Sequence, residues 1–193
     1  MAEIILLRHS LTGGNLEGRY IGCRTDEPLC GEGIRLLGSR AYPPVERIYT
    51  SPMKRCVETA QIIWGDRTIP VMPMPALREC DFGEFENKNY QELNGDPAYQ
   101  AWIDSGGTLP FPGGESMEAF KKRCQAGFEE IVRKIRDCPL SVGVVAHGGT
   151  IMAILERFGY PKRAYFDYQV KNGCGYVLTP VEGTDLWNYQ CLP

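Results

Sequence analysis

The chain has 193 residues, 43% hydrophobic and 23% charged, with 21 Lys plus Arg against 24 Asp plus Glu for a formal net charge of −3. Those figures fit one ordinary globular domain over residues 1–193 that buries about 70% of the surface its unfolded chain exposes. They exclude a disordered chain, a fibrous repeat and a field-driven binder of nucleic acid or anionic lipid, so any bound anion must be held by a few placed cations. The longest apolar run at the start, Ile4-Ile5-Leu6-Leu7, is far short of the ~20 residues of a membrane span. Glu3 precedes it without a basic leader, and the expected compartment is the cytoplasm. Eight cysteines, at 23, 30, 56, 80, 124, 138, 174 and 191, form no C-x-x-C pair. They read as buried reduced thiols rather than disulfides or a zinc site.

Glu3 to Leu7 reads as a buried parallel strand, followed by a turn-rich loop from Ser10 to Gly22. A short helix is expected from about Glu32 to Ala41, ended by Pro43-Pro44, then a strand over Val45 to Tyr49. Ser51-Pro52 reads as cap and first position of a helix to Trp64, and Ile69 to Met72 as a third strand. From Pro73 to Gly114 the chain is irregular and rich in Pro and Gly, with short helical pieces near Tyr90 and Tyr99; a segment of this length suits an inserted cap. Ser116 caps the best helix, whose Met117, Phe120, Cys124, Phe128, Ile131 and Ile135 share one face. Leu140 to Ala146 reads as a strand and Gly148 to Phe158 as a helix. Cys174 to Val181 and Leu186 to Gln190 read as closing strands, the last at the edge. The class is α/β: three layers, a mostly parallel central sheet, helices on both faces and a cap over about 73–114.

The only two histidines each follow an apolar strand, His9 after Ile4–Arg8 and His147 after Val142–Ala146. In a parallel sheet both imidazoles emerge at the carboxyl edge, where such sheets bind ligands. Arg8, Ser10, Thr12, Gly13, Gly14 and Asn15 surround His9 with donors suited to a tetrahedral oxyanion. Arg55 lies one turn into the helix opened by Ser51-Pro52 and can reach back over its start. Leu77–Glu86 carries Glu79, Asp81, Glu84 and Glu86, four candidates for a general acid that composition does not separate. Two arginines beside the histidines argue against a zinc or iron site on the same atoms.

In order along the chain, these blocks resemble the histidine phosphatase superfamily, in its phosphoglycerate-mutase-like branch. Leu7-Arg8-His9-Ser10-Leu11-Thr12-Gly13-Gly14-Asn15 is similar to L-x-R-H-G-x-T-x-x-N, and Gly22, Asp26, Pro28-Leu29 and Gly33 to G-x-x-D-x-P-L…G. Ser51-Pro52-x-x-Arg55-x-x-x-Thr59-Ala60, Leu77–Glu86, Pro112-Gly113-Gly114-Glu115-Ser116 and His147-Gly148-Gly149 continue the resemblance. Ser10 and Asn87 stand where the family usually has glycine.

The resemblance implies that His9 is a nucleophile forming a phosphohistidine and Glu79 the acid that protonates the leaving alkoxide. It implies that Arg8, Asn15, Arg55, His147 and the Gly148 N–H bind the phosphate. Ser10, through its backbone N–H, and Gly22 are further candidates for substrate contact. No cofactor and no metal are implied. The partner is a small phosphomonoester, the chain a monomer or homodimer. Length and the Leu77–Glu86 and P-G-G-E-S blocks look most like the α-ribazole phosphatases of cobalamin synthesis, with α-ribazole 5′-phosphate as substrate. A 2,3-bisphosphoglycerate-dependent phosphoglycerate mutase is the alternative enzyme, and a non-catalytic phospho-ligand binder the alternative class. Between Glu86 and Gly113 there is one cation, Lys88, against Glu92, Asp96 and Asp104, together with Tyr90, Tyr99, Trp102 and Phe111. An aromatic, acid-leaning cap suits hydrolysis of an ester with an uncharged or aromatic organic part better than a second phosphate; the same rings could instead pack the cap's own core.

Overall fold

The computed structural model describes residues 3–65, 68–136 and 140–192. A seven-stranded mixed sheet runs β3-β2-β4-β1-β6-β7-β5. Its strands are β1 (Glu3–Arg8), β2 (Arg47–Thr50), β3 (Val71–Pro73), β4 (Ser141–Ala146), β5 (Gly159–Tyr160), β6 (Gly175–Pro180) and β7 (Trp187–Cys191). The half β3-β2-β4-β1 is parallel, whereas β6 is antiparallel to both β1 and β7. The strand expected at the edge, β7, is flanked by the two-residue β5, which pairs with it in parallel.

Because successive side chains of a strand point to opposite faces, the unbroken apolar run of β1 feeds two cores. Ile4 and Leu6 join Val142, Val144 and Tyr49 beneath Phe120, Phe128 and Ile131 of α5 (Met117–Ile135) and Ile151, Ile154 and Leu155 of α6 (Gly148–Phe158). Ile5 and Leu7 join Ile48 and Val145 beneath Cys56, Ala60 and Trp64 of α3 (Lys54–Trp64). Gly143 of β4 is needed there, since a Cβ would stand 2.8 Å from the Trp64 ring. The one-turn α1 (Gly13–Leu16) follows β1, and the short α2 (Gly31–Gly38) packs on α3. Helices therefore cover both faces, and β1 and β4, paired side by side through Arg8↔Ala146, end together at one sheet edge.

Several expectations move. Helix α3 starts at Lys54 rather than at Ser51-Pro52; its N-cap is Met53, without a side-chain cap. Asp26 supplies the missing acceptor from another segment, taking the Lys54 N–H at 2.7 Å. Residues near Tyr90 form turns, while the piece near Tyr99 is α4 (Pro97–Asp104), capped by Asp96. Of the cysteines, Cys56, Cys80 and Cys124 are buried and Cys191 is exposed; the seven described ones are unpaired, and Cys138 lies outside the described residues.

The cap aromatics pack on one another. Phe82, Phe85, Tyr99, Trp102 and Phe111 form a ring cluster with Tyr20 from outside the cap, at centroid separations of 5.0 to 6.2 Å. Phe85 and Phe111 are buried, and Tyr90 is exposed. These rings pack against one another rather than facing a ligand, so the aromatic content of the cap does not point to an aromatic substrate. Asn87, where the resembled pattern has glycine, has φ 58°. That left-handed backbone explains the glycine, and asparagine is among the few other residues that adopt it readily. No helix among the described residues is long and apolar enough to cross a membrane.

Candidate active site

His9 and His147 meet at the carboxyl edge of β1 and β4, ring centroids 5.1 Å apart and edge to face. Both are buried. His9 Nδ1 lies 2.6 Å from the Ser10 carbonyl oxygen. A carbonyl only accepts, so Nδ1 carries the proton and Nε2 keeps its lone pair. Burial, followed by the Arg55 and Arg8 charges, holds the His9 imidazole well below its usual pKa. His147 is held low by burial first, then by Arg55, His9 and Arg8. Both rings are therefore neutral near pH 7. The Ser51 hydroxyl, which accepts the Met53 N–H at 3.4 Å, sits 2.8 Å from His147 Nε2. Cys56 Sγ is 3.6 Å from the same nitrogen. Burial pushes that thiol up to about 12, so it packs as a neutral group rather than as a nucleophile.

The two arginines are half-tethered. Arg8 donates from Nη1 to Val170 O at 2.8 Å. Arg55, fully buried, donates to Thr25 O at 2.8 Å and Gly22 O at 2.9 Å. The Nε atoms of both are buried without a hydrogen-bond partner among the described residues. Buried polar groups are almost always paired, and leaving a charged donor empty is costly. The Gly148 N–H opens α6 beside them, without a hydrogen bond to any described residue; a Cβ on Gly148 would stand 3.5 Å from the Arg8 guanidinium.

Burial separates the four carboxylates that sequence left open. Glu79 is buried, receiving the Cys80 N–H at 3.0 Å and the Gly149 N–H at 3.1 Å. Burial raises its pKa above the ordinary carboxylate range, against those two N–H groups and Arg55 and Arg8. Asp81 is paired with Arg24 at 2.7 Å, Glu84 is exposed, and Glu86 accepts the Gly22 and Thr25 N–H groups.

Three expected contacts differ in detail. The Ser10 N–H, expected to be offered to phosphate, is donated to Thr59 Oγ1 at 3.0 Å, and its hydroxyl to Gly33 O at 2.7 Å. Gly22 donates its N–H to Glu86 and its carbonyl accepts from Arg55 Nη2, so both groups are already engaged. Asn15 stands beside the loop, but its Oδ1 is bound by the Thr12 N–H and by Asn172.

Sequence reasoning missed the segment from Val170 to Gly173. Asn172 donates to His9 O, Ser10 O and Asn15 Oδ1 at 3.1 to 3.4 Å, and the Gly173 N–H reaches Arg8 O. The available signal was Asn172-Gly173, a turn dipeptide just before a strand. It becomes decisive only once β6 is known to lie antiparallel beside β1, which starts that strand at the edge where His9 ends the other. A cavity of about 590 Å³ beside Arg8 is lined by Leu11, Leu36, Arg40, Val170, Lys171 and Asn172, among others. No group of three His, Cys, Asp or Glu side chains placed to hold a metal occurs among the described residues.

The family model of the histidine phosphatase superfamily (branch 1) matches residues 4–189. Adenosylcobalamin/alpha-ribazole phosphatase of Escherichia coli (strain K12) is 28% identical over 181 residues, 88% of this chain and 85% of that protein. The 2,3-bisphosphoglycerate-dependent phosphoglycerate mutase 2 of Gloeobacter violaceus is 33% identical over 165 residues, 80% of this chain and 74% of that one. The crystal structure of the alpha-ribazole phosphatase from Shigella flexneri has the same fold: TM-score 0.83 at 24% identity, over 98% of this chain and 95% of that chain.

Proposed function

The chain belongs to branch 1 of the histidine phosphatase superfamily, and on that premise we propose that it hydrolyses small phosphomonoesters through a phosphohistidine at His9, with α-ribazole 5′-phosphate as the leading substrate. One observation carries the reading: two buried guanidinium Nε atoms, of Arg8 and Arg55, without a hydrogen-bond partner among the described residues, beside two neutral histidines. Such a cluster of unused donors suits the three equatorial oxygens of a transferring phosphoryl group, where preorganised donors are worth about 10²–10³ each in rate.

In this reading the His9 Nε2 lone pair attacks phosphorus; an N–P bond forms and the P–O bond to the organic group breaks. The Ser10 carbonyl, holding Nδ1–H, stabilises the charge that develops on the ring. Glu79 gives its proton to the departing oxygen, a role that its burial-raised pKa suits near neutrality. A water then attacks the phosphohistidine, Glu79 takes that water's proton, and the N–P bond breaks to release phosphate and restore His9. His147, the Gly148 N–H and the Asn15 amide complete the phosphate's surroundings.

Hydrolysis is favoured over mutase action by the shortage of cations over residues 87–112, where Lys88 stands alone. The test is phosphate release from 4-nitrophenyl phosphate, α-ribazole 5′-phosphate and 3-phosphoglycerate, with chelator present, by the wild type and His9→Ala. Expected are release of inorganic phosphate by the wild type, its loss in the variant, and the highest kcat/KM on α-ribazole 5′-phosphate. Interconversion of phosphoglycerates stimulated by 2,3-bisphosphoglycerate, without phosphate release, would replace this reading with the mutase. Full hydrolysis by His9→Ala would end it.

A further inference from the structure

We propose that Arg123 and Glu115 form a clamp that aims Glu79, making both positioning residues for leaving-group protonation; the inference rests on the reading of Glu79 as the acid. Residues 78–82 lie outside any helix or strand, so no regular hydrogen-bond ladder decides where Glu79 points. The clamp does. From α5, Arg123 donates Nη1 to Ala76 O and Arg78 O, both at 2.9 Å, and Nη2 to Glu79 O at 3.4 Å. The rest of its fork goes to Glu115, Nε to Oε1 at 3.1 Å and Nη2 to Oε2 at 2.8 Å. Glu115 in turn takes the Asp81 N–H at 3.5 Å and gives its own N–H to Asp81 O at 2.9 Å. Every guanidinium nitrogen is thus bound to Glu115 or to the backbone around residue 79, and the pair holds that backbone on both sides.

This is not an ordinary surface ion pair. The two side chains are 25% and 19% exposed, and the bidentate geometry fixes direction as well as distance. A general acid must stand within hydrogen-bond reach of the atom it protonates, and a displacement of about 1 Å can cost about 10²-fold in rate. The clamp's effect is therefore expected wherever the departing oxygen needs a proton, and little where it does not. An alkoxide leaves only when protonated, whereas 4-nitrophenolate leaves readily as the anion.

The experiment compares kcat/KM, which reports phosphoryl transfer to His9, for glycerol 2-phosphate and 4-nitrophenyl phosphate in the wild type, Arg123→Met, Arg123→Lys and Glu115→Gln. Arg123→Met is expected to lose about 10- to 100-fold on the alkyl ester and less than about 3-fold on the aryl ester. Arg123→Lys, unable to make the fork, is expected to recover only part of the loss, and Glu115→Gln to fall between. Equal losses on both esters, or none on either, would overturn the proposal. If Arg123→Met does not fold, the other two variants carry the same comparison. A wild type inactive on both esters would instead overturn the proposed function, so the two failures are distinct.

Discussion

Two adjacent glycines at the start of α6 give a sharp test of how Glu79 is held. A Cβ on Gly149 would stand 2.6 Å from Glu79 Oε1 and 3.2 Å from Phe120 Cζ, whereas one on Gly148 would meet nothing closer than the Arg8 guanidinium at 3.5 Å. The second distance is ordinary contact. The first is an overlap that the packed Phe120 ring, 1% exposed, cannot relieve, so the carboxyl must swing away. Swinging breaks the bonds from the Cys80 and Gly149 N–H groups, at 3.0 and 3.1 Å. Those bonds are worth about 1–3 kcal/mol, partly offset by the roughly 1 kcal/mol that alanine gains over glycine inside a helix. The net loss of stability is about 0–2 kcal/mol, a melting shift of roughly 0–8 °C. Activity should move greatly: kcat/KM on an alkyl phosphate should fall about 10²-fold in Gly149→Ala and less than about 3-fold in Gly148→Ala. Steady-state kinetics beside thermal melting decide the matter. Equal losses in the two variants, or a Gly149→Ala enzyme of wild-type activity, would refute the account of how the acid is positioned.

The pH dependence follows from directions already given. Activity on an alkyl ester needs His9 neutral and Glu79 protonated. With the first depressed below the usual imidazole range and the second raised above the usual carboxylate range, kcat/KM should decline on the alkaline side as Glu79 ionises. It should hold on the acid side until well below pH 6.5. Glu79→Gln should abolish the alkaline decline, and a persisting decline would assign it elsewhere. Stability has the opposite acid signature. His9 and His147 are buried neutral, so the unfolded chain binds more protons below about pH 6.5, and stability should fall as pH drops from there toward the folded-state values. Denaturant midpoints across pH 4–8 measure it, and a double variant His9→Gln, His147→Gln that keeps the same slope would contradict it. Asn172→Ala removes bonds to His9 O, Ser10 O and Asn15 Oδ1. It should cost about 1–3 kcal/mol in urea unfolding and about 10-fold in kcat/KM; an unchanged enzyme would show that this amide does not hold the loop.

What was legible in the sequence was what local pattern decides. An apolar run ending in Arg8-His9, and another ending in Ala146-His147-Gly148, place both imidazoles at one sheet edge once the strands pair, and the β1–β4 register does so. Ser116 and the spacing from Met117 to Ile135 set α5 at its observed start and end. The acid was not legible from composition, because Glu79 differs from Asp81, Glu84 and Glu86 only in burial and in its N–H donors, which come from tertiary packing. Ser51 looks like a cap because Ser-Pro usually is one; here Asp26 caps from another segment and the hydroxyl turns to His147. Asn172 was invisible for the same reason. It acts on His9 across 163 residues of chain, through a strand neighbour that no local pattern reveals.

The central claim is that the protein carries the phosphoryl group on His9 itself. Rapid acid-free quenching of the wild type with a ³²P-labelled phosphomonoester, followed by proteolysis and mapping, tests it directly. A label that is stable to alkali, labile to acid, confined to the peptide containing residue 9 and turned over at the rate of phosphate release is the predicted result. Label on any other residue, or full turnover with no protein-bound phosphate at any time, would contradict it.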